Sequence, residues 1–324
     1  MRSSEPNDTI QLADTRLRLI RPVIALVMLV FLAGCGGGSS AEDGDGRLIV
    51  LATTGQIHDA VRNVAGDQVE LIGLLGPGVD PHVYIPTEGD VSAFNDADVI
   101  FYNGLFLEAQ MERILEQLAS SRTVVAVGDR QEESDLIPVG DGEFDPHIWN
   151  DPVLWQGVVE VIRDTLVAAD PDNGAVYEAN AGQYLDTIAD THAEMLALVD
   201  RVPPDQRLLI TAHDAFGYYA RAYGFEVAGL QGLSTESEAS TADVQQLADL
   251  IVSRRISAIF VETSVSTRSI EAVQAAVSAQ GLSVEIGGSL FSDALGEEGH
   301  PAETYVGMLR HNTETIVNAL APGS

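Results

Sequence analysis

The sequence predicts an α/β protein of two lobes, each with a roughly four-stranded parallel sheet flanked by helices, bridged by one long spine helix. Three observations predict it. Short apolar runs alternate with stretches of helical period, the pattern of a parallel sheet covered by helices on both faces. That alternation occurs twice, once before residue 170 and again after residue 203. Between the two lies a proline-free stretch, 173–202, with apolar residues at helical spacing. Roughly thirty residues rising 1.5 Å each make a rod of about 45 Å. The expected organisation is a leader over 1–34, a tether over 35–46, lobes over 47–170 and 203–324, and the spine over 171–202.

The leader carries Arg16, Arg18 and Arg21 before an apolar run over 23–32, then Ala33, Gly34 and Cys35. A basic region, a short apolar run and small residues read as an export signal. The run is too short to span a bilayer as a helix. Cys35 is the sole cysteine, so an intrachain disulfide and a Cys-rich zinc module are both excluded. Leu32-Ala33-Gly34-Cys35 resembles the bacterial lipobox, which implies that Cys35 is lipidated and begins the mature chain. The glycine, serine and acidic residues that follow read as a flexible tether.

In the first lobe, strands are expected at 48–51, 68–75, 99–102 and 123–127, and helices at 57–64 and 105–118. Thr87 with Asp90 reads as a capping box opening a further helix. The acidic stretch 129–145 reads as a loop, and Asn150-Asp151-Pro152 starts a helix that reaches about residue 167. Pro203-Pro204 stops the spine. In the second lobe, strands are expected at 208–211, 227–230, 258–262 and 282–286. Helices are expected at 215–223, with Gly224 as its cap, and at 241–254, 267–279 and 301–320. A polar loop spans 234–240, and Gly287-Gly288-Ser289 reads as a link after the last strand.

The formal net charge is −32, and all 17 basic residues are arginines. Nucleic acid and anionic membrane surfaces are poor partners for such a chain, whereas a cation suits its field.

Asp-Pro-His occurs at Asp80-Pro81-His82 and again at Asp145-Pro146-His147. Proline fixes its own φ and pushes the residue before it into an extended shape, so each histidine leaves a stiff turn in a defined direction. His213 and Asp293 follow predicted strands, and ligands of open α/β sheets bind beyond the carboxyl ends of strands. With two of these residues from each lobe, His82, His147, His213 and Asp293 are expected to converge in the cleft between lobes. Three imidazoles and a carboxylate suit zinc, with the carboxylate hardening the set toward manganese. A closed shell argues for holding an ion, because catalysis needs an open position. The sequence also lacks His-Glu-x-x-His. Asp80, Asp145, Asp214 and Glu262 are candidates to accept the second ring N–H of the ligand histidines. His58, His300 and His311 read as surface residues, and His192 as a solvated or locally bonded residue of the spine. Protons compete with a metal for imidazole, so affinity should fall steeply as pH drops through about 6. A metal-dependent hydrolase with an open ion, and a surface-adhesion lipoprotein with a structural metal, stand as alternatives.

The motifs Gly78-Val79-Asp80-Pro81-His82-Val83-Tyr84, Asp145-Pro146-His147-Ile148-Trp149-Asn150-Asp151-Pro152, Thr211-Ala212-His213-Asp214-Ala215-Phe216-Gly217-Tyr218 and Phe291-Ser292-Asp293-Ala294-Leu295-Gly296 occur in that order. Together they resemble the TroA-like or ZnuA-like family, the metal-binding receptors of zinc and manganese ABC importers. The resemblance covers essentially all of the body after the tether. It implies two α/β lobes bridged by one long helix, an ion buried between them, and delivery to a membrane permease driven by a separate ATPase. It further implies a monomeric, non-enzymatic, extracytoplasmic lipoprotein held at the outer face of the cell membrane by its lipid alone. Receptors resembling the manganese group commonly carry glutamate where this chain has His213. Many zinc receptors carry a His-rich loop where 129–145 has no histidine. The chain is most similar to the branch with three histidines and one aspartate, in which zinc and manganese both fit. The Irving–Williams order favours zinc over manganese in vitro.

Overall fold

Short apolar strands organise the computed structural model, which describes residues 46–140 and 142–321. The leader, Cys35 and most of the tether lie outside the described residues. In the first half, β1 (Leu48–Ala52), β2 (Val69–Gly73), β3 (Val99–Tyr102) and β4 (Thr123–Ala126) form a parallel sheet in the order β2-β1-β3-β4. Helices α1 (Gly55–Ala65), α2 (Glu88–Asp96) and α3 (Glu112–Ala119) connect them. Central β1 ends fully buried, as a parallel strand covered on both faces must. The stretch 129–145 is not wholly irregular: β5 (Pro138–Gly140) and β6 (Glu143–Phe144) pair antiparallel within it. Helix α4 (Pro152–Ala169) follows, with Asp151 as its N-cap and proline in its first turn.

Helix α5 (Gly174–Val199) has 26 residues, hence a length of about 39 Å. Tyr177, Ala181, Tyr184 and Ile188 pack in a core shared with α1 and α4. Met195 and Val199, farther along the same face, pack in a second core with β7 and the last helix. One rod therefore stiffens both cores, and the residues from Arg47 on form one compact unit.

In the second half, β7 (Leu208–His213) pairs in parallel with β8 (Glu226–Gln231), and β9 (Ala258–Glu262) with β10 (Glu285–Leu290). β7 runs beside β9, so the four strands stand as two adjacent ladders. Helices α6 (Gly217–Tyr223), α7 (Thr241–Arg254), α8 (Arg268–Ala279) and α9 (Tyr305–Leu320) complete it. Gly224 caps α6 in the left-handed conformation, φ 71°.

Two further elements depart from the sequence expectation. The helix expected over 105–118 starts only at Glu112. Gly104, Leu105 and Phe106 have φ of 77°, 53° and 63°, a left-handed turn that cannot run into a right-handed helix. For the two residues with a Cβ this costs roughly 1–2 kcal/mol each. The last strand is not 282–286 but Glu285–Leu290, running through Gly287 and Gly288. A Cβ on Gly287 would lie 2.7 Å from Ala319 Cβ and 2.9 Å from Phe260 Cε1, so glycine is what lets α9 approach the strand.

Thr87 caps α2: its hydroxyl accepts from Asp90 N at 3.3 Å while Asp90 Oδ2 accepts from Thr87 N at 2.7 Å. Thr87→Ala should lower unfolding stability by about 1 kcal/mol in urea titrations, with no change in metal affinity. An unchanged midpoint would mean that α2 does not depend on this cap.

Candidate metal centre

Each site residue leaves its element in a direction set by local bonds. At both copies of Asp-Pro-His the aspartate side chain closes a turn on the histidine backbone. Asp80 Oδ1 accepts from His82 N at 2.9 Å, and Asp145 Oδ1 accepts from His147 N at 2.9 Å. With proline fixing the intervening φ, the same tripeptide makes the same turn twice. His213 is the last residue of β7 rather than one beyond it, and its backbone N donates to Glu262 Oε1 at 2.9 Å. Asp293 sits just past β10. Trp149 Nε1 and Gln56 Nε2 both donate to the preceding carbonyl, Ser292 O, at 2.8 and 3.4 Å. Asn312 brackets Phe291 from both sides, accepting from its N at 2.9 Å and donating to its O at 2.7 Å.

All four side chains meet. One ligand atom from each of His82, His147, His213 and Asp293 lies within 4.8 Å of every other, and each residue is buried. His82 Nε2 and His147 Nε2 are 3.3 Å apart. Asp293 reaches two of the three rings, Oδ1 at 3.6 Å from His147 Nε2 and Oδ2 at 3.3 Å from His213 Nε2. Two nitrogens bound at 2.0–2.1 Å to a tetrahedral zinc stand about 3.3 Å apart. Asp293 Oδ1 and His213 Nε2 are buried without a hydrogen-bond partner, the mark of donors left for an ion.

Two of the four suggested carboxylates face a ring of the cluster. Asp145 Oδ1 lies 2.7 Å from His147 Nδ1. Glu262 Oε2 lies 2.6 Å from His213 Nδ1, close enough for an ion pair though not aligned as a hydrogen bond. Both contacts point the Nε2 atoms at the site. Asp80 and Asp214 do not orient a ring. Asp80 Oδ2 instead accepts from Thr235 Oγ1 at 2.6 Å, tying the His82 turn to the second half. Asp145→Asn keeps this shape but removes the charge that polarises His147. It should weaken zinc binding by about 10–100-fold in chelator competition; unchanged affinity would deny Asp145 that role.

The electrostatics differ ligand by ligand. Burial drives His82 down to about 3, against the pull of Asp293. Burial would also lower His213, but the carboxylates of Asp293 and Glu262 outweigh it and hold that imidazole well above its usual value. Burial would raise Asp293, but His213 first, then His147 and His82, hold it well below the carboxylate range.

His58, His300 and His311 are half-buried, not surface residues. His300 and His311 pack on Phe291, with ring centroids at 5.1 and 5.0 Å. His192 lies 3.2 Å from Tyr223 OH of α6, a contact between helices rather than a bond within the spine.

Sequence reasoning missed a buried support behind His147. Glu108, 3% exposed, accepts from Thr53 Oγ1 at 2.7 Å, Asn103 N at 2.8 Å and Gly104 N at 3.1 Å. Asn103 Nδ2 then donates to Pro146 O at 2.9 Å. Burial pushes the Glu108 carboxyl up to about 7, against those three hydrogen bonds. The Asn103-Gly104 dipeptide is a turn signal that could have broken the expected helix and exposed this carboxylate as an odd one.

A family model described as zinc-uptake complex component A, periplasmic, matches residues 50–319. The zinc-binding protein TroA of Treponema pallidum is 45% identical over 306 residues, 94% of this chain and 99% of that protein. The manganese-binding lipoprotein MntA of Bacillus subtilis is 43% identical over 290 residues, 89% of this chain and 95% of that protein. Among solved structures, the periplasmic zinc-binding protein TroA from Treponema pallidum matches with a TM-score of 0.84 at 46% identity, covering 85% of this chain and 100% of that one.

Proposed function

The chain belongs to the zinc-uptake complex component A family, and from that premise we propose that His82, His147, His213 and Asp293 hold the ion it carries. It is the substrate-binding component of a metal ABC importer. It captures zinc or manganese outside the cytoplasm and passes the ion to a permease driven by an ATPase. The observation that carries the ligand assignment is the meeting of four buried donor atoms from four separate segments of the chain, two from each half.

The chemistry of the shell supports capture rather than turnover. Three imidazoles and a carboxylate complete a tetrahedral set, and His82 and Asp293 are each only 2% exposed while His147 and His213 are wholly buried. A hydrolytic ion keeps a position open for water. We read the chain as a non-enzymatic monomer whose lobes, 47–170 and 203–324, close on the cargo from either side of the spine. Cys35 is its lipid anchor, which labelling with radioactive palmitate would detect and Cys35→Ser would abolish. Among the described residues no helix is long and apolar enough to cross a membrane.

The test is competitive zinc and manganese calorimetry on the full chain in mild detergent. One ion per chain is expected, with zinc tighter than manganese because the nitrogen-rich set follows the Irving–Williams order. Absence of stoichiometric binding by either metal would overturn the assignment.

A further inference from the structure

A cavity of about 280 Å³ opens beside the left-handed turn at Gly104–Phe106, beyond the carboxyl ends of β3 and β4. Tyr102, Phe106 and Phe144 give it aromatic walls; Glu108, Glu112 and Glu133 give it negative charge, and none of the described residues lining it is basic. Two sides of the molecule meet at Glu108. Outward, it forms part of the cavity wall; inward, it is bonded to Asn103, whose amide holds Pro146 O, the carbonyl just before His147.

We propose that this cavity is the socket for an arginine side chain of the membrane permease, and that Glu108 couples its occupancy to His147. The inference rests on the reading that the chain hands its ion to such a partner. A shell of four buried donors holds an ion until one donor moves, so hand-over needs an input. A guanidinium is planar, stacks on aromatic rings and pairs with carboxylates, which fits these walls better than a compact ammonium. Charge-assisted bonds are roughly twice as strong as neutral ones. An arriving guanidinium therefore competes with the neutral Asn103 and Gly104 N–H groups for the Glu108 carboxylate. Drawing Glu108 toward the cavity frees Asn103, slackens its grip on Pro146 and lets His147 leave the ion. A protein side chain fits better than a free metabolite because the wall itself carries apolar surface that a partner would cover: Phe106 is 59% exposed.

The experiment uses the full chain loaded with zinc alone and follows zinc loss to an excess of chelating dye by stopped flow. Ethylguanidinium, the arginine side-chain mimic, should speed release severalfold, while sodium chloride at equal ionic strength should not. The Phe106→Ala/Glu112→Gln double variant, altered at the rim in exposed Phe106 and half-buried Glu112 and not in Glu108, should keep the unassisted release rate and lose the acceleration. Glu108→Gln should release zinc about tenfold faster unassisted and no longer respond. Zinc loss indifferent to ethylguanidinium, or acceleration that survives in the rim variant, would overturn the proposal. Micromolar binding of free L-arginine would overturn it in favour of a small-molecule occupant. A chain that takes up no zinc in the preceding titration would overturn the metal reading as well; a zinc-loaded chain that ignores ethylguanidinium overturns only this one.

Discussion

Asp293→Ala should weaken zinc binding on the order of a thousandfold, about 4 kcal/mol. Asp293 is the one carboxylate among the four donors, and it faces two of the three rings at once, His147 at 3.6 Å and His213 at 3.3 Å. Its removal leaves a dication among neutral imidazoles in a site closed to water, and breaking one side of a buried charge pair costs about 3–5 kcal/mol. Asp293→Asn separates charge from shape. It retains an oxygen near the Ser264 hydroxyl, which bonds the native carboxylate at 3.1 Å, but carries no charge. A loss nearly as large as that of alanine would show that charge dominates. Competition against a chelator of known affinity measures both variants, and a thermal melt of the metal-free chains checks that they fold. Affinity within threefold of the unmodified chain would remove Asp293 from the ligand set.

The four clustered residues were legible because each is announced locally. Asp-Pro-His is a complete device within three residues: proline stiffens the backbone and aspartate ties the histidine N–H at 2.9 Å in both copies. His213 and Asp293 were found through the strand that each follows. What escaped was whatever depends on distant partners or on space. Glu108 looks like one more charge on an amphipathic helix until the left-handed turn at Leu105 and Phe106 moves it inside. Its consequence for His147 runs through Asn103 and Pro146, 43 residues apart in sequence. The last strand was misplaced because Gly287 and Gly288 read as a link, whereas they are thin so that Ala319 and Thr315 of α9 can pack on them. Of the four carboxylates near the ligand histidines, sequence proximity could not say which would face a ring. Glu262, 49 residues from His213, is one of the two, while adjacent Asp214 is not.

Zinc capture near neutral pH should expel about one proton per ion, and affinity should fall roughly tenfold per pH unit on that account. The proton comes from His213. Despite its burial, Asp293 and Glu262 hold its pKa well above the usual value, which favours an imidazolium in the metal-free chain, whose proton the ion must displace. His82 behaves oppositely. Burial takes it down to about 3, so it stands neutral and ready across the physiological range and adds no competition until the medium is strongly acid. The pH profile should therefore start to fall above 6 and stay shallower than three ordinary imidazoles would give. Calorimetry in buffers of different ionisation enthalpy counts the protons released, and a slope of three below pH 6 would sink this account. The same shifts set the stability of the empty chain. A raised His213 stabilises fully below its unfolded value of about 6.5, and that contribution is lost as pH climbs through its folded value. A lowered Asp293 stabilises above its unfolded value of about 3.9, and that contribution is lost as pH falls through its folded value. Between those limits a proton on His213 stands in for the cargo, pairing with Asp293 at 3.3 Å and keeping the four donors together. A receptor that must survive each release has this reason to keep a titrating pair at its centre. Thermal melts of the metal-free chain should accordingly lose stability on the alkaline side, and zinc should restore it there most strongly.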